Sequence, residues 1–364
     1  MFKFNELTHI HLEISSRCQA SCPMCPRNIH GGIDNPNLKV NDWTYNDFIS
    51  IFSKEVTDQL EFITFCGTFG EPIMNNDLID MCQYLKVNAP HVIVKINTNG
   101  SARSTTWWKK LAKSLPESHH VTFALDGLLD THHLYRIGTS FEKIIENASA
   151  FISAGGIAEW MFIRFKHNEH QVDEARELSK KIGFKEFILK DTRRFQNSNF
   201  KVLNKDGSFS HNLEPPSNVI TKPVPKISLE NYQSWDNADK INCFVFNRKE
   251  IYIDANFTVL PCCILAAFLY TNYDKSILIE NNLYDETSVN DVGLNTQKQL
   301  YEIIDELGGL ESLNSKKIGI KNIIDTNEWQ TIWKNKWNTK KSAACILLCS
   351  LKSPYVSVYD QYVK

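Results

Sequence analysis

The chain is 364 residues long, 42% hydrophobic and 23% charged, with a formal net charge of −2. This composition excludes a disordered or fibrous chain, and the charge excludes the strong cationic field that gathers nucleic acid. The opening residues MFKFNELTHIHLEIS contain no long apolar run. Neither a signal peptide nor a membrane span is expected, no membrane partner follows, and the setting reads as cytoplasmic.

From the N-terminus the pattern alternates. HIHLEIS reads as a strand, and WTYNDFISIFSKEV (43–56) has helical spacing with Trp43, Phe48, Ile51 and Phe52 on one side. LEFITFCG (60–67) is the short apolar run of a strand buried on both faces. NNDLIDMCQYLKV (75–87) reads as a helix capped by an asparagine. Next come the strand HVIVKINTNG (91–100), the helix SARSTTWWKKLAKSL and the strand HVTFALDG (120–127). SFEKIIENASAFISAG (140–155) is a helix stopped by glycine. AEWMFIRFK (158–166), EHQVDEARELSKKIG (169–183) and KEFILKD (185–191) add a strand, a helix and a last strand.

Six such strand–helix repeats, short of a final helix, predict a parallel sheet with helical cover. They are too few for a full eight-stranded barrel, and on periodicity alone a doubly wound sheet fits as well. In both, chemistry gathers at the C-terminal ends of the strands. Residues 195–240 are polar and proline-bearing and read as a linker or long ordered loop. Residues 241–364 form a second unit, opening on the hairpin-like KEIYIDANFTVLPCC, where Asn256 is the residue best suited to the turn. The basic pairs Lys109-Lys110, Arg193-Arg194 and Lys340-Lys341 read as solvated surface.

The ten cysteines are unevenly spread. Cys18, Cys22 and Cys25 lie in the loop after the first strand, Cys66 and Cys82 stand alone, and Cys243, Cys262, Cys263, Cys345 and Cys349 fall late. A reducing compartment disfavours disulfides, and clusters at both ends suggest metal chemistry. A structural zinc site uses four ligands. A thiol pair Cys22-x-x-Cys25 leaves Cys18 idle. An iron–sulfur cluster with three protein ligands uses all three thiols and keeps one iron open.

C-x3-C-x2-C after the first strand of a six-unit repeat resembles the radical S-adenosylmethionine (radical SAM) superfamily. The resemblance implies a partial (β/α)6 TIM-like barrel over 1–194 and a smaller C-terminal α+β cluster-binding domain over 241–364. It also implies a 4Fe-4S cluster on Cys18, Cys22 and Cys25. SAM would chelate the open iron, and its reductive cleavage would give a 5′-deoxyadenosyl radical that removes a substrate hydrogen atom. GTFGEP (67–72) matches the family's SAM-binding Gly-Gly-Glu-Pro segment at Gly70, Glu71 and Pro72, with Phe69 in place of a glycine. INTNG supplies Asn97, Thr98 and Asn99; ALDG supplies Asp126; MFIRFKHN supplies Arg164 and Asn168. Taken singly, NTNG and LDG are ordinary turn sequences. Met24 stands where the family usually has an aromatic residue, and as a flexible apolar side chain it suits packing on adenine.

The late cysteines resemble a SPASM or twitch extension. That implies an auxiliary 4Fe-4S cluster on Cys243, Cys262, Cys345 and Cys349 with Cys263 spare; a zinc site from the same thiolates stays open. Cys66 and Cys82 read as small buried hydrophobes. Cys66 and Cys263 have a sharper alternative as hydrogen-atom donors to substrate. The resemblance implies peptide modification by epimerisation, crosslinking or oxidation. The alternatives are dehydrogenation or epimerisation of a small polar substrate such as an aminocyclitol or sugar, or a non-catalytic iron–sulfur or zinc protein. An electron donor such as flavodoxin or ferredoxin is the expected partner.

Overall fold

The computed structural model describes residues 1–192, 194, 195, 199–218, 241, 243–270, 290–339, 344, 345 and 349, with backbone alone for 290–295, 334 and 336–339. Arg193, Lys340 and Lys341, singled out as surface charge, lie outside the described residues. In chain order the strands and helices are β1 (His9–Leu12), β2 (Asn28–Ile29), β3 (Ile33–Asp34), α1 (Tyr45–Ile51), α2 (Lys54–Thr57), β4 (Phe62–Phe65), α3 (Leu78–Asn88), β5 (Ile93–Thr98), α4 (Thr105–Ser114) and β6 (His119–Ala124). They continue with α5 (His132–Tyr135), α6 (Phe141–Ser153), β7 (Ala158–Arg164), α7 (Val172–Ile182), β8 (Glu186–Asp191), β9 (Phe200–Leu203) and β10 (Phe209–Leu213). After these come α8 (Phe244–Arg248), β11 (Glu250–Ile253), β12 (Val259–Leu260) and α9 (Cys263–Tyr270). Further helices span Asn290–Glu306, Ser315–Ile318, Ile320–Ile324 and Asn327–Thr339.

Eight strands form one sheet in the order β12-β11-β1-β4-β5-β6-β7-β8. Every pairing is parallel except β11 with β12. The fold is thus mixed α/β around a largely parallel sheet. Strand alternation gives that sheet two unlike faces. Ile10, Leu12, Ile63, Phe65, Val94, Ile96, Val121, Phe123, Trp160 and Phe162 fall on one face and are buried. Helix side chains cover them: Phe48 of α1 meets Phe65, and Trp108 of α4 and Phe151 of α6 meet Phe123. The alternate positions are mostly polar, with Phe62, Ile93, Met161 and Ile163 as apolar members. The polar ones include His9, His11, Thr64, Lys95, Asn97, His120, Thr122, Glu159 and Lys190.

Three local expectations change. The run 43–56 is two helices, broken where Phe52 leaves the helical region and Ser53 restarts as an extended N-cap. Asn75 does not cap α3. Its amide donates to the carbonyls of Ile14 (2.9 Å) and Trp43 (2.8 Å), and Asp77 takes the cap position. In the β11–β12 hairpin the left-handed residue is Phe257 (φ 69°), not Asn256. Asp254 organises that turn, its Oδ1 accepting from the amides of Asn256 (2.8 Å) and Thr258 (2.7 Å).

Within 195–240 the described residues contain the antiparallel hairpin β9–β10. It packs on the β2–β3 loop. The Leu203 amide donates to the His30 carbonyl (2.9 Å), and the His30 and Phe200 rings stack at 4.3 Å. A Cβ at Gly32 would lie 2.1 Å from the Asn204 carbonyl oxygen, so only glycine permits this approach.

Candidate functional site

The loop leaving β1 carries Cys18, Cys22 and Cys25. It is a self-supported turn: the Cys25 amide donates to the Cys22 carbonyl (3.0 Å), and Asn28 donates to the same oxygen (3.2 Å). The Ser21 amide ties it to Ile137 (2.8 Å). The three thiols share an apolar cluster with Ala20, Met24, Tyr135, Phe165, Val202 and Leu213. Polar hydrogens point at the sulfurs. Asn99 Nδ2 lies 3.7 Å from Cys18 Sγ, the Ala20 amide 3.4 Å from the same atom, and Arg136 Nη1 3.8 Å from Cys22 Sγ. Burial raises all three thiols; the positive charge of Arg136 opposes this at Cys22, and that of Arg194 at Cys22 and Cys25. Arg194 also donates to the Met24 carbonyl (2.6 Å). Among the described residues, no three His, Cys, Asp or Glu side chains converge as ligands of a single ion.

GTFGEP follows β4 and folds against the end of β1. A Cβ on Gly70 would lie 1.7 Å from the Ser15 carbonyl oxygen, so no side chain fits there. The Glu71 amide donates to the Arg17 carbonyl (2.8 Å), and Pro72 opens a short 3-10 turn, Pro72–Met74. The Glu71 carboxyl is buried and accepts from the amides of Asn99 (2.7 Å) and Ile73 (3.3 Å). Burial lifts its pKa to about 7. Thr98 accepts from the Gly100 amide (3.0 Å). Asn97 faces the polar side of the sheet and hydrogen-bonds Cys66. Asn99 therefore joins the parts, with its backbone on Glu71 and its side chain on Cys18 and, at 2.7 Å, Gln19.

Asp126 is fully buried at the end of β6. It pairs with Arg136 Nε (2.5 Å) and accepts from the Ile163 amide (2.6 Å). It reaches the triplet through Arg136. Arg164 forms a two-bond pair with Asp191 at 2.7 and 2.9 Å, one strand further away. Asn168 folds back on its own loop, accepting from the Phe165 amide (2.7 Å) and donating to the Ile163 carbonyl (3.0 Å).

The late cysteines divide. Cys243, Cys262 and Cys345 are buried in one core cluster, and their thiols interact electrostatically. Cys349 is buried too. Cys263 interacts with Cys262 and, on its other side, with Glu250, Cys66 and Glu13. Cys82 is wholly enclosed in α3.

Three residues of this region carried no signal in the sequence: Glu13, Arg136 and Lys190. Each is a lone charge with no partner at a telling spacing. Glu13 was legible only as a polar residue ending an alternating strand. Lys190 is largely buried, which lowers its pKa, and its charge faces Cys66, Glu159 and Asp126.

No protein-family model and no curated protein matches the sequence. Solved structures do match in three dimensions. SuiB from Streptococcus suis, bound to S-adenosylmethionine, superposes with a TM-score of 0.50 at 14% identity over 71% of this chain and 61% of SuiB. This chain thus spans less than two thirds of SuiB. The structure of anSMEcpe with bound AdoMet gives 0.51 at 13% identity, over 98% of this chain and 92% of that one. A second anSMEcpe structure, with AdoMet and a peptide, gives 0.51 at 14% identity over 98% and 95%. The mixed α/β fold built on the largely parallel sheet is the fold of these AdoMet-bound proteins.

Proposed function

We propose that the protein is a radical SAM enzyme. Residues 1–194 would form a partial (β/α)6 barrel, and 241–364 a SPASM- or twitch-like extension in a cytoplasmic enzyme. The observation that carries the reading is the junction at Asn99, which links a Cys18 thiol to the buried Glu71 of GTFGEP. A simple cluster carrier has no use for that second element.

The donor set suits a 4Fe-4S cluster on Cys18, Cys22 and Cys25. Three thiols sit in an apolar pocket, with N–H groups and two arginines aimed at the negative charge they acquire. When bound, the cluster and SAM would supply a 5′-deoxyadenosyl radical for hydrogen abstraction. Gly70, Glu71 and Pro72 would receive the SAM amino group, Asn97, Thr98 and Asn99 its polar tail, and Met24 its adenine. Asp126 would hold Arg136 against Cys22. Arg164 and Asn168 would frame the far wall. Cys243, Cys262, Cys345 and Cys349 would hold an auxiliary 4Fe-4S cluster.

A peptide is the substrate class favoured here, because a matching structure of the same fold holds a peptide beside AdoMet. Cys66 and Cys263 would return a hydrogen atom to a substrate carbon. Burial raises both thiols, Cys66 to about 11, so each keeps its S–H hydrogen at neutral pH.

The test is anaerobic reconstitution, with iron per chain and 5′-deoxyadenosine measured under dithionite and a flavodoxin or ferredoxin as alternative donor. About eight irons per chain with deoxyadenosine formed support two 4Fe-4S clusters and radical chemistry. A protein with intact clusters that neither binds SAM nor releases deoxyadenosine with any peptide overturns the reading. For the hydrogen donors, product from Cys66→Ala and Cys263→Ala is weighed by mass spectrometry; unchanged product at full turnover removes them from the mechanism.

A further inference from the structure

The turn Phe69–Gly70 is gripped from two sides by the C-terminal part of the chain. Glu13, just beyond β1, is 1% exposed. Its Oε1 accepts from the amides of Phe69 (2.8 Å) and Gly70 (2.6 Å), and its Oε2 accepts from the hydroxyl of Tyr252 on β11. Tyr252 is itself fully buried, edge-on to His11 at 5.0 Å. The second grip is Tyr270 at the end of α9. Its ring meets Phe69 edge-on at 5.6 Å, and its hydroxyl donates to Asp254 Oδ2 (2.7 Å).

We infer that Glu13 is a positioning residue: it fixes the Phe69–Gly70 turn to Tyr252, so that packing of the C-terminal segment sets the geometry of the SAM-binding loop. The inference rests on the proposed SAM site only for its consequence; the strap itself is in the structure. Among the described residues no cation is paired with the carboxyl. The titratable groups facing it are Tyr252 and Asp254 from the β11 hairpin, Cys66 after β4 and Cys263 at the start of α9. Burial pushes Glu13 up to about 7, against the hydrogen bonds it accepts. A neutral side chain of the same shape therefore serves the role: in Glu13→Gln the Oε1 still accepts both amides and the new N–H faces the tyrosine oxygen.

Two measurements on the full-length, anaerobically reconstituted protein decide it. The first is amide hydrogen exchange of residues 67–72 in wild type, Tyr252→Phe and Glu13→Gln. Exchange at least tenfold faster in Tyr252→Phe, with Glu13→Gln close to wild type, supports the strap. Unchanged exchange in Tyr252→Phe overturns it. The second is the dissociation constant for SAM. Roughly tenfold weaker binding in Tyr252→Phe at an unchanged melting temperature supports positioning, and equal binding overturns it. Should wild type not bind SAM, the proposed function fails while the exchange result still judges the strap. Tyr252→Phe removes one hydroxyl and keeps the ring, so the comparison does not rest on a variant that loses the fold.

Discussion

Arg136 and Asp126 form a buried ion pair whose cationic end faces a cysteine sulfur. Breaking one partner of such a pair strands the other charge in a low-dielectric site. Arg136→Ala is expected to destabilise the protein by about 3–5 kcal/mol. Chemical denaturation measures this, and Asp126→Asn should recover part of it in the double variant. Glu13 gives a pH prediction. Its folded pKa, about 7, lies above the ordinary 4.5, so the folded state binds the proton more tightly. The stability it contributes is complete below about pH 4.5 and is lost as pH rises toward 7, a decline on the order of 3 kcal/mol. Glu13→Gln should flatten that part of the stability profile; a profile identical to wild type would show that the carboxyl does not titrate there. Neither residue was legible beforehand. The triplet stands out by its spacing and Gly70-Glu71-Pro72 by its likeness to a family motif, whereas an isolated Glu or Arg acquires a role only from what packs beside it.

The same division holds for the elements. The strands of the repeat fell within a few residues of where apolar patterning put them, because each must bury a face whatever its neighbours are. The helix stops at Gly155 and Gly183 were readable from their positive φ requirement. Long-range geometry was not readable. Nothing in EIYI says that β11 lies parallel to β1, and the polar 200–213 gives only a weak strand signal for β9–β10. The hairpin turn shows why. Sequence preference favours Asn at a left-handed position, yet Phe257 takes it because its ring stacks on Trp43 at 4.6 Å and 30°. Burying an aromatic ring is worth about 1.5–3 kcal/mol, against about 1–2 kcal/mol for the backbone. Phe257→Gly should therefore destabilise the protein despite relieving the strain, by about 1 kcal/mol in a thermal melt. A stabilised variant would reverse that balance.

At the scale of the molecule, residues 1–4 are fastened to the late segment 325–330. The N-terminal ammonium donates to the Gln330 carbonyl (3.1 Å), Gln330 donates to Phe2 (2.8 Å), and the Phe4 amide donates to Asp325 (2.8 Å). With β11 filling one edge of β1 and β4 the other, the first strand is central only when the late segment is present. A chain ending at 240 loses β11 and leaves a parallel edge and the Glu13 carboxyl without Tyr252. It is expected to aggregate, seen as loss of the monomer peak in size-exclusion chromatography. A soluble, cooperative 1–240 fragment would show that the first part folds alone.

The pairing of His9 with Glu250 also has a consequence for the order of events in synthesis. Roughly 240 residues separate the two strands, and at about 5–20 residues per second a ribosome needs on the order of ten to fifty seconds to make them. Throughout that interval Cys18, Cys22 and Cys25 already exist, and one edge of β1, the strand before their loop, is open. The first thiols of the nascent chain thus wait on residues made roughly 240 positions later before β1 gains its second neighbour.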